Sequence, residues 1–449
     1  MGKHRFSRRE FLSVGAAAAG ASLVGTPILP LGLPRPEPAP RRGAPSDRVR
    51  FGIVGVGMQG VSLLSESIRL ADVECAAACD LYDGRHALAR EIAGASLPVT
   101  RRYQQLLDDR DIDAIIVATP DHWHRKLVVD AVSAGKDVYC EKPMSHEAAD
   151  GVAMMDAAKR TGRIVQVGSQ RVSSRICARA RELIAAGTIG EMMLVEAWWG
   201  RNDPTGAWQY PPPPDLSPRT LDWDTWLGDA PKRPFDANVF ARWRAYRDFG
   251  TGVAGDLLVH LVSGMMFMLD LEAPPSRAMS TGGIKRWKDG RDMPDVHAVL
   301  FEYGELPVYM RLNLGTDMPE TYRFQGSKGI IEVTGTTITV TPQSGVDEYP
   351  SYYAYSFPQP LRDEYFRDWH AKNDARLRAK PLPETTTIQG PEFNGLTPHL
   401  TNFFDAVRTR KPVVEDARFG HDAAMASHMA NASYFLKRAV TPAELLARG

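Results

Sequence analysis

Val49-Arg50-Phe51-Gly52-Ile53-Val54-Gly55-Val56-Gly57-Met58-Gln59-Gly60 decides the fold of this chain. The first six residues are a short apolar strand, which runs without a spacer into Gly55, Gly57 and Gly60. A helical stretch, Val61 to Leu70, follows at once. A lone set of such glycines means little, but placed between a strand and a helix they specify a dinucleotide cradle. Gly55 permits the tight turn, Gly57 lets backbone N–H groups approach a pyrophosphate, and Gly60 lets the helix pack on the strand. The phosphates then meet a helix N-terminus, where free N–H donors and the helix dipole favour negative charge.

Downstream, the strand Val73 to Cys79 ends in Asp80, twenty residues after Gly60. A carboxylate there can accept both ribose hydroxyls of NAD and repels the 2′-phosphate of NADP. Arg85 is the nearby cation that would soften that preference. Apolar runs at Ile112 to Val117, Asp137 to Cys140 and Ile164 to Val167 alternate with helical ones at His124 to Ala134 and His146 to Lys159. Such alternation predicts a parallel sheet with right-handed crossovers, and ligands bind where its strands end. The strand ends read Ala118-Thr119-Pro120-Asp121-His122-Trp123-His124 and Glu141-Lys142-Pro143. The expected cofactor contacts are therefore Gly55, Gly57, Met58, Gln59, Gly60, Asp80, Thr119, Pro120, His124, Glu141 and Lys142. After Val172 come a helix (Ser174 to Ala186), a strand (Glu191 to Trp199), a Pro/Trp/Asp-rich stretch to Asn238 and a helix at 256–270. Six strand-like runs and two closing helices, Pro398 to Arg410 and Asp416 to Lys437, complete the chain. The expected architecture is α/β: a Rossmann domain at 48–171, then a C-terminal α+β domain at 172–449 with a large, mostly antiparallel open sheet.

At 449 residues the chain is too long for one ordinary domain, and 43% hydrophobic with 24% charged residues suits a buried core. It holds 54 basic and 54 acidic residues; the first 47 take seven and three of these, leaving a body of 47 against 51. That balance excludes nucleic acid as an electrostatic partner. The four cysteines form no CxxC pair, and Cys75 and Cys79, on one strand, stand about 13 Å apart, too far to bridge.

Ser7-Arg8-Arg9-Glu10-Phe11-Leu12, followed by an apolar run from Val14 to Val24, reads as an export signal and resembles the twin-arginine pattern S/T-R-R-x-F-L-K, with Ser13 departing at its last position. The run is shorter than the ~20 residues a membrane span needs. Prolines from Pro27 to Pro45 make the rest of 1–47 a stiff linker. The expectation is a periplasmic protein carried folded by the twin-arginine machinery, with its nucleotide tightly bound.

The glycine loop, Asp80, Ala-Thr-Pro-x-x-x-His at 118–124 and Glu141-Lys142-Pro143 together resemble the Gfo/Idh/MocA oxidoreductases, and Gly250-Thr251-Gly252-Val253-Ala254-Gly255-Asp256-Leu257-Leu258-Val259-His260 looks like that family's glycine-rich segment ending in D-x-x-x-H. The resemblance spans about Val49 to Arg438. It implies NAD chemistry on a sugar or sugar-like polyol, with Lys142, Asp256 and His260 as the catalytic set, an often cis bond before Pro143, and a homodimer or homotetramer. An Asp and a His at i and i+4 share one helix face; either His260 or Lys142 can take the hydroxyl proton, and Lys142 can also stabilise the oxygen. Leu258 stands where the family often has Gly, and Ser263 where it has Asp. Arg171, Trp243 and Arg244 are the expected substrate contacts; Trp198, Trp199, Arg201, Trp208 and Tyr246 also offer the faces and forked donors that sugars suit. His122-Trp123-His124 could chelate zinc, but no further ligand cluster accompanies it, and no metal is expected. A second reading is a glycoside hydrolase that recycles a retained NAD; those relatives usually carry Tyr-Pro-x-His where this chain has Leu258-Val259-His260.

Overall fold

The computed structural model describes residues 48–447 except 344, 346–348, 380–383 and 391–394; the expected signal and linker at 1–47 lie outside the described residues. Six parallel strands form the first sheet: β1 (Val49–Val54), β2 (Val73–Cys79), β3 (Val99–Thr100), β4 (Ala114–Val117), β5 (Asp137–Cys140) and β6 (Val165–Val167). Their order is β3-β2-β1-β4-β5-β6. The order reverses between β1 and β4, which opens a crevice at their carboxyl ends. Helices cover both faces, so the strands are buried and almost continuously apolar, as in Ile53-Val54 and Ile115-Ile116-Val117. This is the Rossmann arrangement that the opening stretch predicts. Only β3 was illegible, being too short to show any pattern.

The second sheet has eight strands: β7 (Met192–Gly200), β8 (Arg277–Gly283), β9 (Val296–Tyr303), β10 (Leu306–Asn313), β11 (Met318–Gly326), β12 (Gly329–Thr334), β13 (Thr337–Pro342) and β14 (Thr386–Gln389). They run β14-β13-β12-β11-β7-β10-β9-β8, with β7 and β10 parallel and every other neighbouring pair antiparallel. Along the central strands buried residues largely alternate with more exposed ones, as in Val308, Met310 and Leu312 of β10. The buried face packs on the helices Val259–Leu269 and Ala417–Leu436.

The structure departs from the sequence pattern at several elements, β14 among them, which lies outside the expected strands. The helix expected from residue 256 begins at Val259, after a π-helical turn at Ala254–Leu258 that carries Asp256. A 21-residue helix at Gln359–Ala379 was not anticipated, because its composition is polar all round and no apolar stripe announces it.

The closing helices return to the first sheet. Leu396–Thr409 sets Leu400, Phe403 and Phe404 into the core that contains Phe51 and Tyr139, with Phe51 and Phe404 ring centroids 5.6 Å apart. Ala417–Leu436 gives Ala417 and Ala424 to the first sheet's core and Ala423, Met425 and Met429 to the second's. A division of the chain at 171/172 therefore follows the sequence but not the packing. Six of the eleven histidines, His124, His260, His297, His399, His421 and His428, lie buried and His122 is half-buried; desolvation pushes all seven imidazoles below their ordinary pKa.

Candidate functional site

A cleft with about 760 Å³ of empty space, open to solvent, lies over the crevice between β1 and β4. Gly57, Met58 and Gln59 form one wall, Thr119, Pro120, Glu141 and Lys142 the floor. The glycines are there for close approach. Gly55 has φ +92°, and a Cβ on it would stand 2.5 Å from the Ala118 carbonyl oxygen. A Cβ on Gly60 would stand 2.1 Å from the Gly55 oxygen. At Gly57 the added atom would meet only the Arg85 guanidinium, at 3.4 Å. The helix Met58–Ser67 opens with neither a side-chain cap nor an acidic residue in its first turn, so its N–H groups are available to an anion. The cradle thus fits a dinucleotide pyrophosphate.

Gly60→Ala tests that fit. Relieving the 2.1 Å contact costs about 1–3 kcal/mol, which predicts roughly tenfold or greater loss of nucleotide affinity. Calorimetric titration reads it, and unaltered affinity in a folded variant would contradict the assignment.

Asp80 is buried beneath the loop. Its Oδ2 accepts the Val56 N–H at 2.8 Å and its Oδ1 accepts the Tyr82 N–H at 3.0 Å. Arg85 Nη1 stands 3.3 Å from Oδ2 and its guanidinium lies 5.0 Å from the Phe240 ring centre, at the mouth of the cleft. Asp80 therefore holds the loop. Glu141 is buried and accepts from Gln59 Nε2 at 2.9 Å; burial pushes its carboxyl up to about 7, against the opposing charge of Lys142.

Where β5 ends, the Lys142–Pro143 bond is cis. Lys142 Nζ donates to Asp256 Oδ1 at 2.8 Å and to the Asp256 carbonyl at 2.9 Å. Arg244 Nε reaches the same Oδ1 at 3.0 Å, and Trp208 Nε1 donates to Oδ2 at 3.1 Å. Burial alone would raise the Asp256 carboxyl; Lys142 and Arg244 reverse this and hold it well below the carboxylate range. His260, one turn on, is neutral: burial, then Lys142 and Arg171, drive its imidazole well below the ordinary value. Among the described residues its buried Nδ1 has no hydrogen-bond partner. Its ring meets the Trp199 ring edge-on, with centroids 6.1 Å apart. The structure thus brings Lys142, Asp256, His260 and Arg244 together. Trp243 and Arg244 line the cleft, with Arg244 stacked on Trp243 at 4.2 Å.

Several expected residues have structural work instead. His124 is fully buried, with Nδ1 2.9 Å from the Pro143 oxygen and Nε2 3.1 Å from the Thr119 oxygen; it ties the two strand ends together and does not line the cleft. His122 sits against the Trp226 and Phe249 carbonyls. Asp121 binds the Thr251 N–H and hydroxyl. The cluster at 121–124 thus has a packing role, joining the first sheet to the glycine-rich 250–252 turn. Arg171 forms a forked ion pair with Glu320, Nε to Oε1 at 2.6 Å. Trp208 is buried behind Asp256 and offers no face to a ligand. Trp198 points to the opposite side of β7 from Trp199, between Arg311 and Arg323, as the period of two requires. Sequence reasoning missed Tyr210, Trp226 and Phe240, which line the cleft. They come from the irregular 201–250 segment, where no periodicity marks which side chains turn inward.

Among the described residues no group of three His, Cys, Asp or Glu is gathered as a metal site, and no helix is long and apolar enough to cross a membrane. Residues 49–169 match the model described as oxidoreductase family, NAD-binding Rossmann fold, and residues 206–280 match oxidoreductase family, C-terminal alpha/beta domain. An inositol 2-dehydrogenase of Salmonella typhimurium is 31% identical over 149 residues, 33% of this chain and 44% of that protein. A glycosyl hydrolase family 109 protein of Stenotrophomonas maltophilia is 30% identical over 200 residues, 42% of this chain and 41% of its own length. The aligned region thus spans less than half of either relative. Among solved structures, an aldose-aldose oxidoreductase from Caulobacter crescentus superposes with TM-score 0.63 at 16% identity, covering 88% of this chain and 99% of its own. A levoglucosan dehydrogenase bound to NADH gives 0.64 at 16%, with the same coverage. Both carry the fold alone.

Proposed function

We propose that this chain, whose first domain is of the Gfo/Idh/MocA oxidoreductase type, is an NAD-dependent oxidoreductase acting on a carbinol carbon of a sugar-like substrate. One observation carries the proposal: Lys142 lines the same cleft as the glycine cradle and is ion-paired there with Asp256, one turn from His260. NAD, when bound, accepts the hydride. The glycine loop and the helix Met58–Ser67 hold its phosphates, and Glu141, Thr119 and Pro120 border its reactive end. Lys142, fixed by Asp256, donates to the substrate oxygen and stabilises charge on it. Asp256 sets the aim of Lys142 and Arg244. His260, kept neutral, is the group able to accept the hydroxyl proton; the cations around it favour giving that proton up again.

Export in folded form, supported by Ser7-Arg8-Arg9-Glu10-Phe11-Leu12, goes with a retained nucleotide, since free NAD is scarce outside the cytoplasm. Retention also favours a second reading, redox-neutral glycoside hydrolysis, to which the 30% identity with a glycosyl hydrolase family 109 protein adds weight. Releasing the nucleotide from purified full-length protein and identifying it by mass tests the binding. Reduction at the nicotinamide absorption band with sugars or polyols supports dehydrogenation, whereas aryl glycoside cleavage without net reduction supports the second reading. A folded preparation that neither carries nor binds nucleotide excludes both.

A further inference from the structure

Four cations, Lys142, Arg171, Arg201 and Arg244, gather around Asp256 and the Trp199–His260 pair, and two of these, Lys142 and Arg244, line the cleft. Lys142 and Arg244 share Asp256, and Arg171 is matched with Glu320. Arg201 differs. It follows β7 directly, and its guanidinium carbon lies 4.4 Å from the centre of the Trp199 ring. Among the described residues no carboxylate stands within ion-pair distance of it. The same indole meets His260 at 6.1 Å and Arg171 at 5.7 Å, which places Arg201 beside the reacting end of the site. Arg201 is also among the charges that lower both Asp256 and His260, after the nearer cations; burial opposes it at Asp256 and acts with it at His260.

Stacking on an indole fixes the plane of a guanidinium and leaves its edge N–H groups to form a forked, charge-assisted pair. A partly buried positive charge without a counter-ion is costly, and it is stabilised by a ligand that brings negative charge. The nicotinamide end does not supply it, because the hydride-accepting ring is itself positive.

Resting on the oxidoreductase reading above, we propose that Arg201, held flat on Trp199 and lacking a carboxylate partner, binds an anionic group of the substrate. The substrate is then a charged sugar bearing a carboxylate or a phosphate, not a neutral polyol. The planar fork of Arg201 matches either anion.

The test uses the full-length protein with its nucleotide and matched sets: glucose, glucuronate and glucose 6-phosphate; galactose, galacturonate and galactose 6-phosphate; and myo-inositol. An anionic member is expected to exceed its neutral parent at least about tenfold in kcat/KM, and the preference to shrink with added salt. Arg201→Gln is expected to raise KM for that anion by roughly 10- to 100-fold while kcat changes by no more than about threefold. Arg201→Lys should recover part of the loss. Uronate against phosphate ester decides which anion is meant. Calorimetric binding of the same compounds supplies the answer where turnover is slow. Neutral sugars favoured over both anions, neither anion binding, or Arg201→Gln weakening charged and neutral ligands equally would each overturn the proposal. Absence of nucleotide from folded protein is a different result, and removes the oxidoreductase reading itself.

Discussion

Lys142→Met will lower kcat by about 10³-fold while nucleotide binding persists. The lysine is the junction of the two halves of the site: it leaves β5, lines the cleft, and donates twice to Asp256. Methionine keeps the length of the side chain and removes the charge that would stabilise a developing alkoxide. The fold should tolerate the exchange, because Asp256 retains Arg244 and Trp208 as partners and is not left as an unpaired buried charge. The glycine loop lies outside the change, so the amount of nucleotide recovered should match the parent protein. Single-turnover and steady-state rates measure the effect; activity within tenfold of the parent would remove Lys142 from the chemistry.

The second large effect is acid sensitivity of the fold. In the folded state burial pushes His122, His297, His399 and His421 down to about 4 and His428 to about 3; His124 and His260 are lowered as well. Unfolded, all seven titrate near 6.5. Below that value the unfolded chain binds more protons than the folded one, so stability is full above pH 6.5 and falls as pH drops toward 4. Two such histidines alone remove about 5 kcal/mol between pH 6.5 and 4.5. Glu141 and Glu415 act in the opposite sense, since burial raises both carboxyls and their protonation favours the fold on acidification. The histidines outnumber them, and the net change is a loss. Urea midpoints at pH 7 and pH 5 measure it, and equal midpoints would refute it.

How much was legible in the sequence follows from which forces act locally. The nucleotide half could be read almost strand by strand, because buried parallel strands are short apolar runs and the glycine loop has a fixed spacing. Lys142, Asp256 and His260 could be named from motifs, and the structure brings them together. Their partners could not. Arg244 and Trp208 reach Asp256 from a segment with no periodicity, and their meeting is a property of packing within the second domain. His124 was misjudged for a related reason: a polar residue at a strand end can face a ligand or tie a neighbouring carbonyl, and only the position of Pro143 distinguishes the two. The π-helical turn at 254–258 was equally invisible, since one extra residue in a helix leaves no mark on an apolar run.

The return of the closing helices to the first sheet orders events during synthesis. Phe403 and Phe404 cover Phe51 and Tyr139, and Ala417 and Ala424 complete the core beside Val117. When a ribosome has finished β6 at Val167, one layer of the nucleotide domain is still more than two hundred residues away. The strands written first are therefore covered last, by helices that leave the ribosome more than two hundred residues later.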